Sequence, residues 1–397
     1  MRVVFLVGAF FPKPMGAAFA ALNLARALRS QGTDVGFVVD VASGAWEDGG
    51  TYEGFPVRAF PLSTGTWRDK LRGWWSCARY LRKIQSLDLL HIHGGGYINL
   101  ILGQWLRFAT GRKVILKISS DGWDTPEAIV AGRHGWLAGW CYRRLDGLIA
   151  MTSGQANKCR TWGYRGHLEV IPNGVDCSRF RPASEGKKLS LRRQFGLDTK
   201  AIVMCYIGVL RRRKGIDILF RVWQELSRRG NVILLIAGGY PGTDAEQVFL
   251  SALKEQGFDV PPEGIVYLGH MSNTEQCLQA SDIFVFPSRK EGFGTVQIEA
   301  MACGLPCFVN DLPGVSSDIF PSKEFGHRIE NNDVERYVEL ITHCLRNPDM
   351  YEKIACKARE RAEHVYSIER IASTYRQFYA CVMGESCREK PSCPSAN

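Results

Sequence analysis

The stretch Pro287-Ser288-Arg289-Lys290-Glu291-Gly292-Phe293-Gly294-Thr295-Val296-Gln297-Ile298-Glu299-Ala300-Met301-Ala302 follows the apolar run Ile283-Phe284-Val285-Phe286. That run reads as a buried strand ending at Pro287, and residues 296–302 read as a helix. A strand, a glycine loop and a helix start leave backbone N–H groups and the positive end of the helix dipole pointing one way, which suits an anion. Two carboxylates flank that point eight residues apart, Glu291 before it and Glu299 about two turns on if the helix starts near Phe293. A phosphate between hydroxyl-seeking carboxylates describes a sugar nucleotide. Two solvated surface acids beside an ordinary glycine turn would look the same, so the rest of the chain must decide.

Outward from this stretch, short apolar runs alternate with helical patterns. In the first half, strands are expected at 2–7, 34–40, 88–92, 113–118 and 147–151, with helices at 17–30, 67–85 and 136–144. The second half repeats the theme, with strands at 202–207, 232–237, 265–268, 283–286 and 306–309 and helices near 216–228, 245–256, 274–280, 295–303 and 333–346. This alternation predicts an α/β protein with parallel sheets covered on both faces. Two such halves predict two Rossmann-like domains facing across a cleft, with ligands at the strand ends. The turn residues of Val170-Ile171-Pro172-Asn173-Gly174-Val175-Asp176 place the boundary there, and 181–188 reads as an irregular linker. The expected organisation is 1–175, 176–365, a helix within 366–383 packing back on the first domain, and a disordered tail over 384–397.

A chain of 397 residues suits two domains of about 150–200 residues each. Its 45% hydrophobic and 23% charged content is that of a globular protein, and no apolar stretch reaches the ~20 residues that span a bilayer. The start, Met1-Arg2-Val3-Val4-Phe5-Leu6-Val7-Gly8, reads as a first strand and not as a signal peptide. The 13 cysteines are an odd number, and Cys303/Cys307 and Cys387/Cys393 lack zinc-site spacing. A reduced cytoplasmic protein with structural thiols is expected. Residues 1–165 carry 21 Lys+Arg against 11 Asp+Glu, whereas 166–397 carry 29 of each, so the whole excess of positive charge is N-terminal. A basic face for anionic partners follows: membrane lipid, a phosphorylated acceptor or nucleic acid.

Three more segments carry chemistry. Gly16, in Phe11-Pro12-Lys13-Pro14-Met15-Gly16-Ala17-Ala18, would let a phosphate approach the backbone, though a glycine serving only the turn reads equally well. Arg211-Arg212-Arg213-Lys214-Gly215 follows the strand 202–207, and its cations would neutralise a diphosphate. A solvated basic loop is the plainer reading of that segment alone. It loses ground because this loop and the Glu291 loop leave carboxyl ends of strands in one predicted sheet. His91 and His93 share a side of their strand, without a convincing third metal ligand nearby, so a His lining the cleft is the better reading.

Read jointly, the Gly16 loop, His91-Ile92-His93, Ile171-Pro172-Asn173-Gly174-Val175-Asp176, Gly208 to Lys214-Gly215, Pro287-Ser288, Glu291-Gly292-Phe293-Gly294 and Glu299-Ala300-Met301-Ala302-Cys303-Gly304-Leu305-Pro306 resemble glycosyltransferase family 4 over roughly 1–380. The resemblance implies a GT-B fold and a retaining transfer of sugar from a nucleotide-sugar donor, with no cofactor and no metal. It implies Glu291 on the donor sugar and Glu299 on the ribose. Backbone N–H groups near Phe293, Gly294, Thr295 and Val296 would lie on the phosphates. Lys214 would compensate the charge of the leaving diphosphate, with Arg211, Arg212 or Arg213 supplying from a shifted position the Arg that the family often has at Val209, and Gly16 would close that site from the other domain. Retention by front-face attack leaves Glu291 without a nucleophile's role. Two departures stand out: Val209 occupies the place where the family often has Arg, and Lys117-Ile118-Ser119-Ser120-Asp121 lacks the His many members carry. Ser119, Ser120 or Asp121, with His93, are the candidates for the sugar or acceptor contact.

The pattern 67–83 is an amphipathic helix: Trp67, Leu71, Trp74, Ala78 and Leu81 share a face, beside a stripe of Arg68, Arg72, Arg79 and Lys83. Together with Trp75, and with Arg133, Trp136, Trp140, Arg143 and Arg144 further on, it suits an anionic membrane interface. A core-packing helix with a solvated back is the rival reading. The expected function is transfer from a UDP-linked donor to a saccharide or lipid-linked saccharide in cell-surface polysaccharide or glycolipid synthesis. The expected location is the cytoplasm, peripheral to the inner membrane face. The alternatives are a sugar-nucleotide-modifying enzyme such as an epimerase, or a catalytically weak glycan- or lipid-binding protein. Nucleic acid is not expected as a partner, since no binding module accompanies the charge.

Overall fold

The computed structural model describes residues 1–12, 16–94, 96–120, 124–132, 135–239 and 244–385, the side chains of 245 and 246 aside. Of the sequence expectations, Asp121, Arg133 and nearly all of the tail fall outside these residues. The chain divides into two compact units, one formed by Met1–Gly174 with the helix Ile368–Met383, the other by Val175–Ser367.

The first unit is built on β1 (Arg2–Val7), β2 (Asp34–Asp40), β3 (Gly50–Tyr52), β4 (Phe55–Phe60), β5 (Leu89–His93), β6 (Lys113–Lys117), β7 (Gly147–Ala150) and β8 (His167–Val170). Their order is β3-β4-β2-β1-β5-β6-β7-β8, parallel except for the β3–β4 pair. The central strands of the sheet are buried on both faces, so most of their positions are apolar. Val3, Phe5 and Val7 enter one core with the helices Gly16–Ser30 and Ile368–Met383. Val4 and Leu6 enter the opposite core with the helices Trp67–Lys83, Tyr97–Thr110 and Gly135–Arg143.

The second unit holds β9 (Ile202–Ile207), β10 (Val232–Ala237), β11 (Ile265–Tyr267), β12 (Ile283–Phe286), β13 (Cys307–Asn310) and β14 (His327–Ile329). These form a parallel sheet in the order β11-β10-β9-β12-β13-β14. The order reverses between β9 and β12, so the connections leaving these two strands depart to opposite sides and open a crevice at their carboxyl ends.

Several expected elements shift. Residues 181–188 are not all linker: Ser184 caps a helix, Glu185–Gln194, whose Arg192 reaches Asp282 at 2.6 Å. The helix expected at 67–85 stops at Lys83, and the one expected at 136–144 is Gly135–Arg143. The antiparallel β3–β4 ribbon and the helices Tyr97–Thr110 and Pro348–Tyr366 had no counterpart in the sequence reading.

Candidate functional site

β9 and β12 are adjacent, with Met204 opposite Ile283 and Cys205 opposite Phe284. The basic loop after β9 and the Glu291 loop after β12 therefore leave the sheet side by side. Gly215 makes their contact closest. It sits at φ +73°, and a Cβ there would lie 1.9 Å from the Pro287 carbonyl oxygen, so only glycine fits. Arg289 ties the loops again: its backbone N–H donates to Arg213 O at 2.9 Å and its guanidinium grips Asp217 at 2.6 and 2.7 Å. Asn310, ending β13, supports the far side by donating to the carbonyls of Pro287 at 2.8 Å and Ser288 at 3.1 Å, and accepts from Tyr337 Oη at 2.9 Å.

This scaffold brings Lys214 Nζ to 2.6 Å from Glu291 Oε1, with side-chain exposures of 16% and 7%. The two groups expected to serve diphosphate and sugar thus form a largely buried ion pair. In low dielectric neither charge is stable alone, which locks both side chains in place. Arg213 donates to Lys290 O at 3.1 Å with its side chain exposed, and Arg211 is also exposed.

The helix begins later than expected, at Thr295, with Gly294 as its N-cap at φ 79° and no side chain capping it. Glu299 is consequently one turn into the helix, not two. Phe293 is a buried anchor packed 6.1 Å from Tyr366, while Thr295 and Val296 are half-buried. Gln297, missed in the sequence, folds its amide back onto Phe293 O at 3.3 Å and Gly294 O at 3.4 Å. Its Oε1 is buried without a partner among the described residues, a group that a ligand's donor would satisfy. Glu299 is partly exposed. Burial pushes its carboxyl up to about 7, against the pull of Arg179 and with a push from Glu275. Arg179 itself pairs with Glu275 at 2.7 Å.

In the first unit, the helix expected after the Gly16 loop starts at Gly16 itself, and a Cβ there would meet no described atom within 4 Å. The described protein places no steric demand for glycine at that position. His93 does not line an opening: it is 4% exposed, 4.1 Å from the His91 ring and 4.5 Å from Phe5. Both histidines face the core because period-2 alternation puts them on the side of Phe5. Ser119 is held by Asp124, whose Oδ2 accepts from Ser119 N at 2.9 Å and Ser120 N at 3.2 Å, an organising carboxylate the sequence reading missed.

Trp74, placed in the sequence reading on a membrane-facing surface, is buried and donates from Nε1 to Leu62 O at 2.9 Å. The helix turns Trp74, Cys77, Ala78 and Leu81 to the core and leaves Trp67 and Trp75 outside at 56% and 58% exposure, with Arg68, Arg72 and Arg79. A separate open cavity of about 1100 Å³, lined among others by Arg221, His327, Arg336 and His343, shares no residue with the Lys214–Glu291 loops. Volume alone therefore does not locate the chemistry.

Residues 187–361 match the family described as "Glycosyl transferases group 1" and residues 15–174 the "Glycosyl transferase 4-like domain". The chain is 27% identical over 265 residues to a GDP-mannose-dependent monoacylated alpha-(1-6)-phosphatidylinositol monomannoside mannosyltransferase of Corynebacterium glutamicum, covering 61% of this chain and 67% of that protein. It is 30% identical over 257 residues to the lipopolysaccharide core biosynthesis mannosyltransferase LpsB of Rhizobium meliloti, covering 63% of this chain and 70% of that one. Against other curated relatives the match spans about half their length. Among solved structures, Anabaena HepE in complex with UDP-glucose superposes with a TM-score of 0.77 at 19% identity, covering 96% of this chain and 100% of that one. The fold is GT-B, and with its paired matches over both units the chain belongs to glycosyltransferase family 4, the group 1 glycosyl transferases.

Proposed function

We propose that this protein is a retaining glycosyltransferase that moves a sugar from a UDP-linked donor to a saccharide or lipid-linked saccharide acceptor, without a metal, in cell-surface polysaccharide or glycolipid synthesis. The observation that carries this reading is the Lys214–Glu291 pair, 2.6 Å apart at the switch point and just before the uncapped helix start at Thr295. A nucleotide diphosphate entering there would draw Lys214 off the carboxylate and free Glu291 for sugar hydroxyls. Charge developing on the leaving phosphate would be met by Lys214, by Arg211 and Arg213, and by the N-terminal end of the helix. Glu299, one turn on, is suited to ribose hydroxyls. Ser119, fixed by Asp124, is the better candidate for an acceptor contact now that His93 is seen to be buried.

A thermal-shift and saturation-transfer screen of UDP-, GDP- and ADP-sugars, repeated with Glu291→Ala, tests the donor. The Corynebacterium relative is named for GDP-mannose and HepE was solved with UDP-glucose, so the two bases are the informative arms. Conversion of a donor with no acceptor present would favour an epimerase-type enzyme. Binding without transfer or hydrolysis would favour a silent glycan binder.

The lipid-linked acceptor and a peripheral site on the inner membrane face draw support from the first unit. No helix among the described residues is long and apolar enough to cross a membrane. Yet the helices Trp67–Lys83, Tyr97–Thr110 and Gly135–Arg143 pack side by side and leave Trp67, Trp75, Phe108 and Trp136 at 56–89% exposure. Arginines stand among them, Arg144 stacking 4.2 Å over Trp140. Such a mixture suits the interface of an anionic bilayer. Co-sedimentation with phosphatidylglycerol vesicles, against phosphatidylcholine vesicles, should retain the protein, and a Trp75→Ala/Phe108→Ala variant should lose most of that retention.

A further inference from the structure

Lys117 closes β6 at 4% exposure, and among the described residues no carboxylate pairs with it. Its ammonium donates to Asn173 Oδ1 at 2.7 Å and stands 5.5 Å over the Tyr375 ring. Its register neighbours are His93 on β5 and Ile149 on β7. Beyond His93 lie His91, whose Nδ1 is 2.8 Å from Tyr379 Oη, and the ring of Tyr375. His91 Nε2, His93 Nε2 and Tyr375 Oη are buried with no partner among the described residues. Burial, and next the neighbouring positive charge, keep both imidazoles well below their ordinary value, so they stay neutral and add no second positive charge beside Lys117. The same burial pulls Lys117 down to about 7. An unpaired buried cation is a burden to the fold, and Ile115 and Ile149 show that this face accepts aliphatic side chains.

What Lys117 grips is the segment by which the chain leaves the first unit. Ile171 N–H makes a sheet bond to Ala150 O at 2.8 Å, and Val175 N–H donates to Tyr366 O at 2.8 Å. Between them, Gly174 runs so close to the returning chain that a Cβ would lie 2.8 Å from Ile368 Cα. Outgoing and returning segments thus lie against each other, with Asn173 tied down to β6 beside them.

We propose that Lys117 is a protonation-dependent latch on segment 171–175: the ammonium anchors Asn173, and the neutral amine lets the segment loosen. A hydrogen bond from a charged donor is about twice as strong as one between neutral groups, so the latch weakens as the proton leaves and tightens as it returns. The inference stands apart from the proposed transfer reaction, because its readout is the segment itself.

The test is hydrogen–deuterium exchange of the full chain from pH 6 to pH 9, corrected for the intrinsic pH dependence of exchange and read on peptides covering 171–175. The wild type should lose protection about tenfold in a step near neutral pH. Lys117→Arg should stay protected to pH 9, Lys117→Met should be loose throughout, and Asn173→Asp should move the step up by at least one pH unit by giving the ammonium a counter-charge. A flat wild-type profile, or a step surviving in Lys117→Met, would overturn the proposal. Should the Met variant fail to fold by circular dichroism, Asn173→Asp decides: an unmoved step overturns the latch, and protection kept at pH 8 supports it.

Discussion

Two lysines end up at the carboxyl edges of two parallel sheets, and their surroundings are opposite. Lys214 meets a carboxylate at 2.6 Å, while Lys117, among the described residues, meets an amide at 2.7 Å. The first has its charge balanced by that carboxylate. The second carries a charge that its surroundings resist. The difference shows that a buried lysine at a strand end is not one kind of feature. Where the sheet order reverses, two loops can each contribute one side of an ion pair. On β6 the described neighbours of the ammonium are aliphatic, aromatic and neutral groups.

Breaking the paired site should have the largest effect. Lys214→Ala and Glu291→Ala should each lower transfer by roughly 10²–10³-fold or more, as loss of a preorganised charge does. Each also strands its partner, at about 3–5 kcal/mol of stability. A double Lys214→Met/Glu291→Leu variant separates the two roles: denaturant melts should recover most of the stability while transfer stays lost. Full activity in either single variant would remove the pair from the site.

The unpaired lysine gives the next effect, through pH. Lys117 binds its proton less well folded than unfolded, with a shift from 10.5 to about 7. Between those values the unfolded chain holds the extra proton, so stability should rise with pH across that window. At pH 7 the burden is on the order of 4 kcal/mol, and Lys117→Met should recover a large part of it as a higher Tm. Glu299 slopes the other way. Its folded value of about 7 lies above its ordinary 4.5, so the folded state holds the extra proton and stability should fall as pH rises through that window. Glu299 keeps part of its surface open to water, so Glu299→Gln should give the smaller gain. Together these two groups place a local stability minimum near neutrality, which melts from pH 5 to pH 10 would show.

Much of this was legible beforehand, for a physical reason. Buried parallel strands are continuous apolar runs, so β1, β2, β9, β10 and β12 could be bounded to the residue. The Lys214 and Glu291 loops were legible because each follows such a run. Their pairing followed once both strands belonged to one sheet. The side of a side chain was harder. Trp74 and Trp75 are adjacent and equally apolar, yet one lies in the core and the other outside, which depends on how the helix seats on Leu62. His91 and His93 looked accessible at a strand end, but the helix Ile368–Met383, some 280 residues later, covers them with Tyr375 and Tyr379. Asn310 and Asp124 had no motif. Each is a polar residue whose role is to hold a neighbouring loop, and that is visible only when the loop is folded.

The smallest expected effect sharpens the comparison at the glycine loops of the two units. Gly215→Ala forces a left-handed residue and an overlap with the Pro287 carbonyl, so it should destabilise by more than about 1 kcal/mol and push the basic loop off Glu291. Gly16→Ala has neither problem among the described residues: its backbone is helical and the added methyl meets no described atom within 4 Å. Its melt should stay within about 0.5 kcal/mol of wild type, or rise slightly by helix propensity. That neutrality makes it a clean probe. A Gly16→Ala variant that melts like the wild type yet loses most of its donor affinity would report a ligand approaching the backbone there, since the unchanged melt shows that the fold does not need that space. Unchanged donor affinity would leave Gly16 as an ordinary helix start and confine the phosphate contacts to the second unit.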